Sequence, residues 1–194
     1  MSVRLATEAD LPQILSIYAP YVTDTTHTLE YTTPSLEEFT RRYHTITAQF
    51  PWLVWEEEGQ ILGYAYGSLP FERAGYRWCA EASVYLRPDA TRRGIGTRLY
   101  AALEEILRRQ GYRTVYVIIT GANQTSLAFH EASGYRHTAR FPLCAYKFGS
   151  WVDVIWMEKS LFPVENPTNF PCPAGDVVKT DRNLSDILDN LSLS

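Results

Sequence analysis

Apolar positions recur along this chain with two periods, and the switches between them lay out its elements. Val3-Arg-Leu predicts a short strand. Thr7-Glu-Ala-Asp10 has capping-box spacing, with Thr7 as N-cap and Asp10 at N3. Leu11, Ile14, Leu15 and Tyr18 follow at helical spacing and predict a helix through Tyr18. Ser35-Leu-Glu-Glu38 repeats the signature for a helix ending near His44, with a Thr-rich connection, Tyr21–Pro34, between the two. Pro51–Glu57 and Ile61–Ser68 read as strands joined by a hairpin at Glu58-Gly59. Tyr76–Leu86 alternates, with Trp78, Ala80, Ala82, Val84 and Leu86 on one face and Arg77, Cys79, Glu81, Ser83 and Tyr85 on the other. Gly96–Gln110 is an amphipathic helix buried through Ile95, Leu99, Leu103 and Ile106, with Glu104–Arg108 and Glu105–Arg109 expected as i,i+4 pairs and Gly111 as its C′ residue. Thr114–Thr120 is a β-branched strand, Asn123–Ser133 a short helix closed by Gly134, and Arg136–Lys147 and Val152–Lys159 strands joined around Gly149-Ser150.

The resulting order, β α α β β β α β α β β, predicts an α/β (α+β) sandwich: a mixed, mostly antiparallel, twisted sheet flanked by helices. The composition changes after Phe162. Pro163, Pro167, Pro171 and Pro173 predict a structureless connector, and Leu184, Ile187, Leu188 and Leu191 predict a short amphipathic helix. The division is residues 1–162 as the domain and 163–194 as an extension expected to dock on that domain or on a second subunit.

Charge and composition narrow the partners. With 194 residues and 45% apolar positions, the chain can bury a substantial core without cross-links. A net charge of −4 without a basic block argues against nucleic acid as a partner. Cys79, Cys144 and Cys172 lack C-x-x-C spacing, which fits a reducing cytoplasm better than disulfides or a zinc site. No signal peptide and no membrane-spanning apolar run is read from the chain, so no membrane partner is expected.

The candidate chemistry centres on residues 81–100. Arg92-Arg93-Gly94-Ile95-Gly96-Thr97 lies between a strand and a helix, where free backbone N–H groups and the helix dipole favour a phosphate or pyrophosphate. The Gly-Lys-Ser/Thr of a triphosphate P-loop is missing, and Leu99 stands where a dinucleotide fingerprint has its third glycine. Upstream, Glu81 places a carboxylate among apolar neighbours, a candidate base beside a phosphate cradle.

The loop resembles the coenzyme A loop of the GCN5-related N-acetyltransferases, usually Gln/Arg-x-x-Gly-x-Gly/Ala, with Thr91 where Gln or Arg is usual. Arg4–Asp10, Tyr76–Tyr85, Phe129–Tyr135 and Lys147–Val154 extend the likeness, in order, to the phosphinothricin and methionine sulfoximine acetyltransferase group. The resemblance implies an acetyl-coenzyme A-dependent N-acetyltransferase, and residue roles carry over from it. Glu81 would take the proton of an ammonium substrate. Val84, Tyr85 and Leu86 would hold the pantetheine through backbone groups, with one N–H polarising the thioester carbonyl. Arg92 to Thr97 would cradle the phosphates. Asn123 and Ser126 would contact the cofactor, and His130 would act as acid or second base. Arg73 and Tyr76 would bind the polar groups of a small amino acid-like amine. Phe71 stands where typical phosphinothricin enzymes carry Lys, and Lys147, Trp151 and Asp153 are expected in the terminal hairpin and a dimer contact. The group implies a cytoplasmic homodimer. The alternatives are acetylation of a peptide or protein N-terminus, and a non-catalytic coenzyme A sensor.

Overall fold

The computed structural model describes residues 2–163, 166–167 and 169–180. Strands β1 (Ser2–Leu5), β2 (Trp52–Glu57), β3 (Gln60–Ser68), β4 (Cys79–Leu86), β5 (Thr114–Thr120), β6 (Arg136–Lys147) and β7 (Ser150–Ser160) form one sheet in the order β1-β2-β3-β4-β5-β7-β6. Every neighbouring pair is antiparallel except β4–β5. That parallel pair is brief. It joins Cys79, Ala80 and Glu81 to Thr114, Val115 and Tyr116, and beyond Glu81 the two strands part.

Helices cover the two faces unequally. Alternation along the strands sends Leu53, Trp55, Ala80, Ala82, Val115 and Val117 to one face, where they bury Leu99, Leu103 and Ile106 of α3 (Ile95–Gln110). Trp52, Val54, Ile61 and Tyr64 take the other face, under α1 (Leu11–Thr23) and α2 (Leu36–Thr47). Burial of these apolar faces is the main stabilising term of such a fold. Helix α4 (Gln124–Ala132) follows β5, capped by the Asn123 side chain, whose Oδ1 accepts the Ser126 N–H at 3.1 Å.

Several boundaries differ from the sequence expectation. The Thr7 capping box closes a 3₁₀ turn, Glu8–Asp10, that runs directly into α1. Helix α1 continues past Tyr18 to Thr23 because Val22 is still buried, and Pro20 is accommodated inside it. Helix α2 runs past His44 to Thr47. Strand β4 starts at Cys79 rather than Tyr76, since Ala74–Tyr76 form a 3₁₀ turn. On α3, Glu105 accepts from both Arg108 and Arg109, at 2.8 and 2.6 Å, whereas Glu104 turns to Lys159 at 2.6 Å. The expected Glu104–Arg108 pair is therefore replaced, because Glu104 sits on the side of α3 that meets β7.

The connector is not structureless throughout. The Cys172 N–H donates to Gln110 O at 3.0 Å, and Gln110 Nε2 donates to Gln49 O and Cys172 O. Helix α5 (Ala174–Thr180) then buries Ala174 and Val177 in the α3-side core. The helix expected around Leu184–Leu191 lies outside the described residues.

Candidate active site

The parting of β4 and β5 is the origin of the site. Two cavities open there and share Tyr21, His27, Val84, Asn123 and Ser126 in their walls. The smaller, about 70 Å³, lies between Ala82–Tyr85 on β4 and Val117–Ile119 on β5. The larger, about 420 Å³, runs from Val84 and Leu86 along Arg92, Gly94, Ile95, Gly96 and Thr97 at the start of α3.

The start of α3 is built as an anion cradle. Gly94 is the N-cap at φ +76°, a left-handed conformation that glycine adopts without penalty. The first helical bond runs from Arg98 N to Gly94 O, so the N–H groups of Ile95, Gly96 and Thr97 have no intrahelical acceptor. Arg92 lines the channel. Arg93 does not, because both oxygens of Glu57 hold its guanidinium, at 2.9 and 2.7 Å. The Arg98 guanidinium lies over the Trp55 ring at 5.3 Å.

The β4 edge presents fewer free peptide groups than expected. Arg87 N donates to Leu62 O, and the antiparallel register pairs Tyr85 with Tyr64. Alternation then commits the peptide groups of Tyr85 to β3 and aims those of Ala82, Val84 and Leu86 at the opening. The Tyr21 hydroxyl takes the Leu86 position: it donates to Leu86 O at 2.6 Å and accepts from Leu86 N at 3.4 Å. Within Val84-Tyr85-Leu86, Val84 holds the uncommitted peptide groups.

Glu81 sits where the strands part, half-buried, and burial pushes its carboxyl up to about 7. His130 is fully buried rather than a surface residue of its helix. Its Nδ1 lies 2.7 Å from Ser126 O, which can only accept, so Nδ1 carries the proton and Nε2 accepts from the Tyr100 hydroxyl at 2.9 Å. Burial pulls the imidazole down to about 4, so it is neutral at neutral pH. In this arrangement the ring's accepting nitrogen is taken by the Tyr100 hydroxyl.

Arg73 and Tyr76 are exposed and stand outside both cavities. Phe71 is packed among rings instead, with centroids 4.6 Å from Tyr76, 5.5 Å from Trp156 and 5.9 Å from Tyr116. Lys147 is buried and donates to Thr28 O at 2.7 Å, which pins the Tyr21–Pro34 connection to the β6–β7 hairpin. A hydrogen bond from the Tyr31 hydroxyl to Tyr146 O adds to that pin. Asp153 accepts from Arg140 and from Leu143 N, and Trp151 is exposed.

Tyr21 and Tyr100 were not singled out as site residues from the sequence. A usable signal existed for Tyr100, whose phenol follows Leu99 on the buried side of α3 and needs a polar partner when buried. Tyr21 lies three residues after Tyr18, on what the structure shows to be the same helix.

The acetyltransferase (GNAT) domain family matches residues 3–156. An L-methionine sulfoximine/L-methionine sulfone acetyltransferase of Pseudomonas aeruginosa is 37% identical, over 85% of this chain and 97% of its own length. The crystal structure of a phosphinothricin acetyltransferase from Sinorhizobium meliloti in complex with AcCoA has a TM-score of 0.81 and 35% identity, covering 88% of this chain and 92% of that one. A ribosomal-protein-alanine N-acetyltransferase from Brucella melitensis gives 0.80 and 34%, covering 82% and 99%. Cleft, cradle and these likenesses agree: the chain belongs to the GNAT acetyltransferase family, whose members use acetyl-CoA as acyl donor.

Proposed function

We propose that this chain acetylates the amino group of a small amino acid-like compound, with Glu81 as the base. One observation carries the reading: a half-buried carboxylate, raised to about 7, stands where β4 and β5 part, one residue before Ala82 in the cleft wall. A base with that pKa is partly ionised at neutral pH and can take a proton from an ammonium group.

The residues present suit acetyl-CoA, which supplies an activated acetyl thioester when bound. The N–H groups of Ile95, Gly96 and Thr97, with Arg92, would hold the pyrophosphate. Val84 would offer peptide groups to the pantetheine, and Asn123 and Ser126 would line its path. Neutral His130 holds the Tyr100 hydroxyl at the cleft wall and is a positioning residue. Arg73 and Tyr76 stand outside the two donor-cleft cavities, with the Tyr76 ring 4.6 Å from that of Phe71.

A cytoplasmic location agrees with the three cysteines, all free. Among the described residues no helix is long and apolar enough to cross a membrane. A homodimer is supported by the exposed Phe141, Leu143, Tyr146, Phe148 and Trp151 on β6, β7 and their turn. Light scattering after gel filtration tests it, and a monomer at micromolar concentration would refute it. The likeness to a ribosomal-protein-alanine acetyltransferase sustains a second reading, acetylation of a peptide N-terminus. Thiol release from acetyl-CoA with amino acids, methionine sulfone, phosphinothricin and alanyl peptides decides between them. Turnover of free amino acids is expected, and turnover of peptides alone would replace the first reading by the second.

A further inference from the structure

A cavity of about 570 Å³ lies on the side of Glu81 away from the cofactor channel, between the end of α2, the segment after β3, and Phe170-Pro171 of the C-terminal segment. We infer that this groove receives the side chain of the acceptor, and that it selects amines carrying a large apolar or aromatic side chain. The inference rests on the reading of Glu81 as the base and deepens it.

Position is the first argument. Ser68, in the groove wall, is the Cα partner of Glu81 on β3, and paired residues of an antiparallel ladder project on the same face. Phe71, also in the wall, packs on Tyr116, the partner of Glu81 on β5. The groove therefore brackets Glu81 from both neighbouring strands. The donor cleft begins at Ala82, one residue further along β4. Along β4 the groove and the donor cleft thus lie on either side of Glu81, so an acceptor whose nitrogen reached Glu81 would have its own side chain on the groove side and the acyl donor on the other.

Chemistry is the second argument. Ile46, Phe50, Leu69, Phe71 and Phe170 make the lining mostly apolar. Its charges, Glu72 and Arg77, have opposite sign, so an anionic side chain gains no net partner. The Arg77 guanidinium lies over the Phe170 ring at 5.0 Å, and that ring stacks on Trp78 at 5.1 Å. Phe170 is thus held in place while 59% exposed, leaving ring surface available to a ligand. Trp78 Nε1 donates to Asn169 O, and Gln49 Nε2 donates to Pro171 O and Cys172 O, which anchors this wall. Phe170 and Pro171 of this wall lie beyond residues 3–156, outside the family match.

The test compares kcat/KM for L-tryptophan and L-alanine with acetyl-CoA, in wild type and in Phe170→Ala and Phe170→Tyr. Wild type should favour tryptophan. Phe170→Ala should lower the tryptophan-to-alanine ratio about tenfold, chiefly through KM, the equivalent of one lost aromatic contact. Phe170→Tyr, which keeps the ring, should retain the wild-type ratio. Equal use of both amines by wild type, or a ratio unmoved in Phe170→Ala, overturns the groove and leaves the acetyltransferase reading standing. If neither amine is acetylated, calorimetric titration of the CoA-loaded protein with N-acetyl-L-tryptophan tests the groove separately. Affinity about tenfold weaker in Phe170→Ala upholds it there. No binding to wild type, or equal binding, overturns it.

Discussion

Glu81 and His130 show how one burial step produces opposite effects on an acid and on a base. Desolvation disfavours the charged form of each, so the carboxyl rises to about 7 and the imidazole falls to about 4. If Glu81 is the base, kcat at saturating amine should rise with pH up to about 7 and level off above it. Glu81→Gln should lower kcat by roughly 10²–10⁴-fold and abolish that limb. An unchanged profile in the variant removes Glu81 from the mechanism. Stability follows with opposite signs. The folded pKa of Glu81 is raised, so its contribution is present below about 4.5 and is lost as pH rises through about 7. The folded pKa of His130 is depressed, so its contribution is present above about 6.5 and is lost as pH falls towards 4. Chemical denaturation should find Glu81→Gln gaining on wild type by on the order of 1–3 kcal/mol between pH 4.5 and 8. A constant difference across that range would show that Glu81 is not desolvated. The alternation of β4 put Glu81 on one face with Cys79, Ser83 and Tyr85, and the family resemblance, not periodicity, proposed it as the base. Its raised pKa was not legible in the sequence, because desolvation depends on neighbours from other strands.

The critical element is the β3–β4 pair that carries the cleft edge. Gly63 faces Leu86 on β4, and a Cβ at that position would run into Leu86 Cδ2 and come within 3.1 Å of Tyr85 O. Gly63→Ala should therefore destabilise the fold by about 1–3 kcal/mol. It should also raise KM for acetyl-CoA, since Leu86 lines the channel. Thermal melting and initial-rate kinetics check the two effects, and a wild-type melting temperature would show that β4 yields without cost. Hairpin, helix and cap signals located these elements in the sequence to within a few residues. They gave no sign that Gly63 is held by close approach, because its contact partners are 22 and 23 positions away.

For the molecule as a whole, the C-terminal segment belongs energetically to the sheet it follows. Ala174 and Val177 lie in the same core as α3, and the Gln49–Gln110 amides tie Pro171 and Cys172 to it. A chain ended at residue 162 should lose about 2–4 kcal/mol from exposed apolar surface and orphaned buried amides. A urea titration measures this, and an unchanged midpoint would make the segment a passive appendage. Pro-rich composition set the expected division after Phe162. Docking on the domain or on a second subunit was expected, but not where, since the amides that hold the segment, Gln110 and Gln49, come from α3 and from just after α2.

Local periodicity, caps and the Gly94–Gly96 turn determined the element order, the mixed sheet and the glycine-capped start of α3, because each is a property of residues close together in the chain. Tertiary structure alone decided which strand edge stays open, that Tyr21 occupies the Leu86 peptide, that His130 is buried against the Tyr100 hydroxyl and that Arg93 belongs to Glu57. Those outcomes depend on burial and on partners up to 65 residues apart, such as Tyr21 and Leu86. Linear spacing carries no record of such distances.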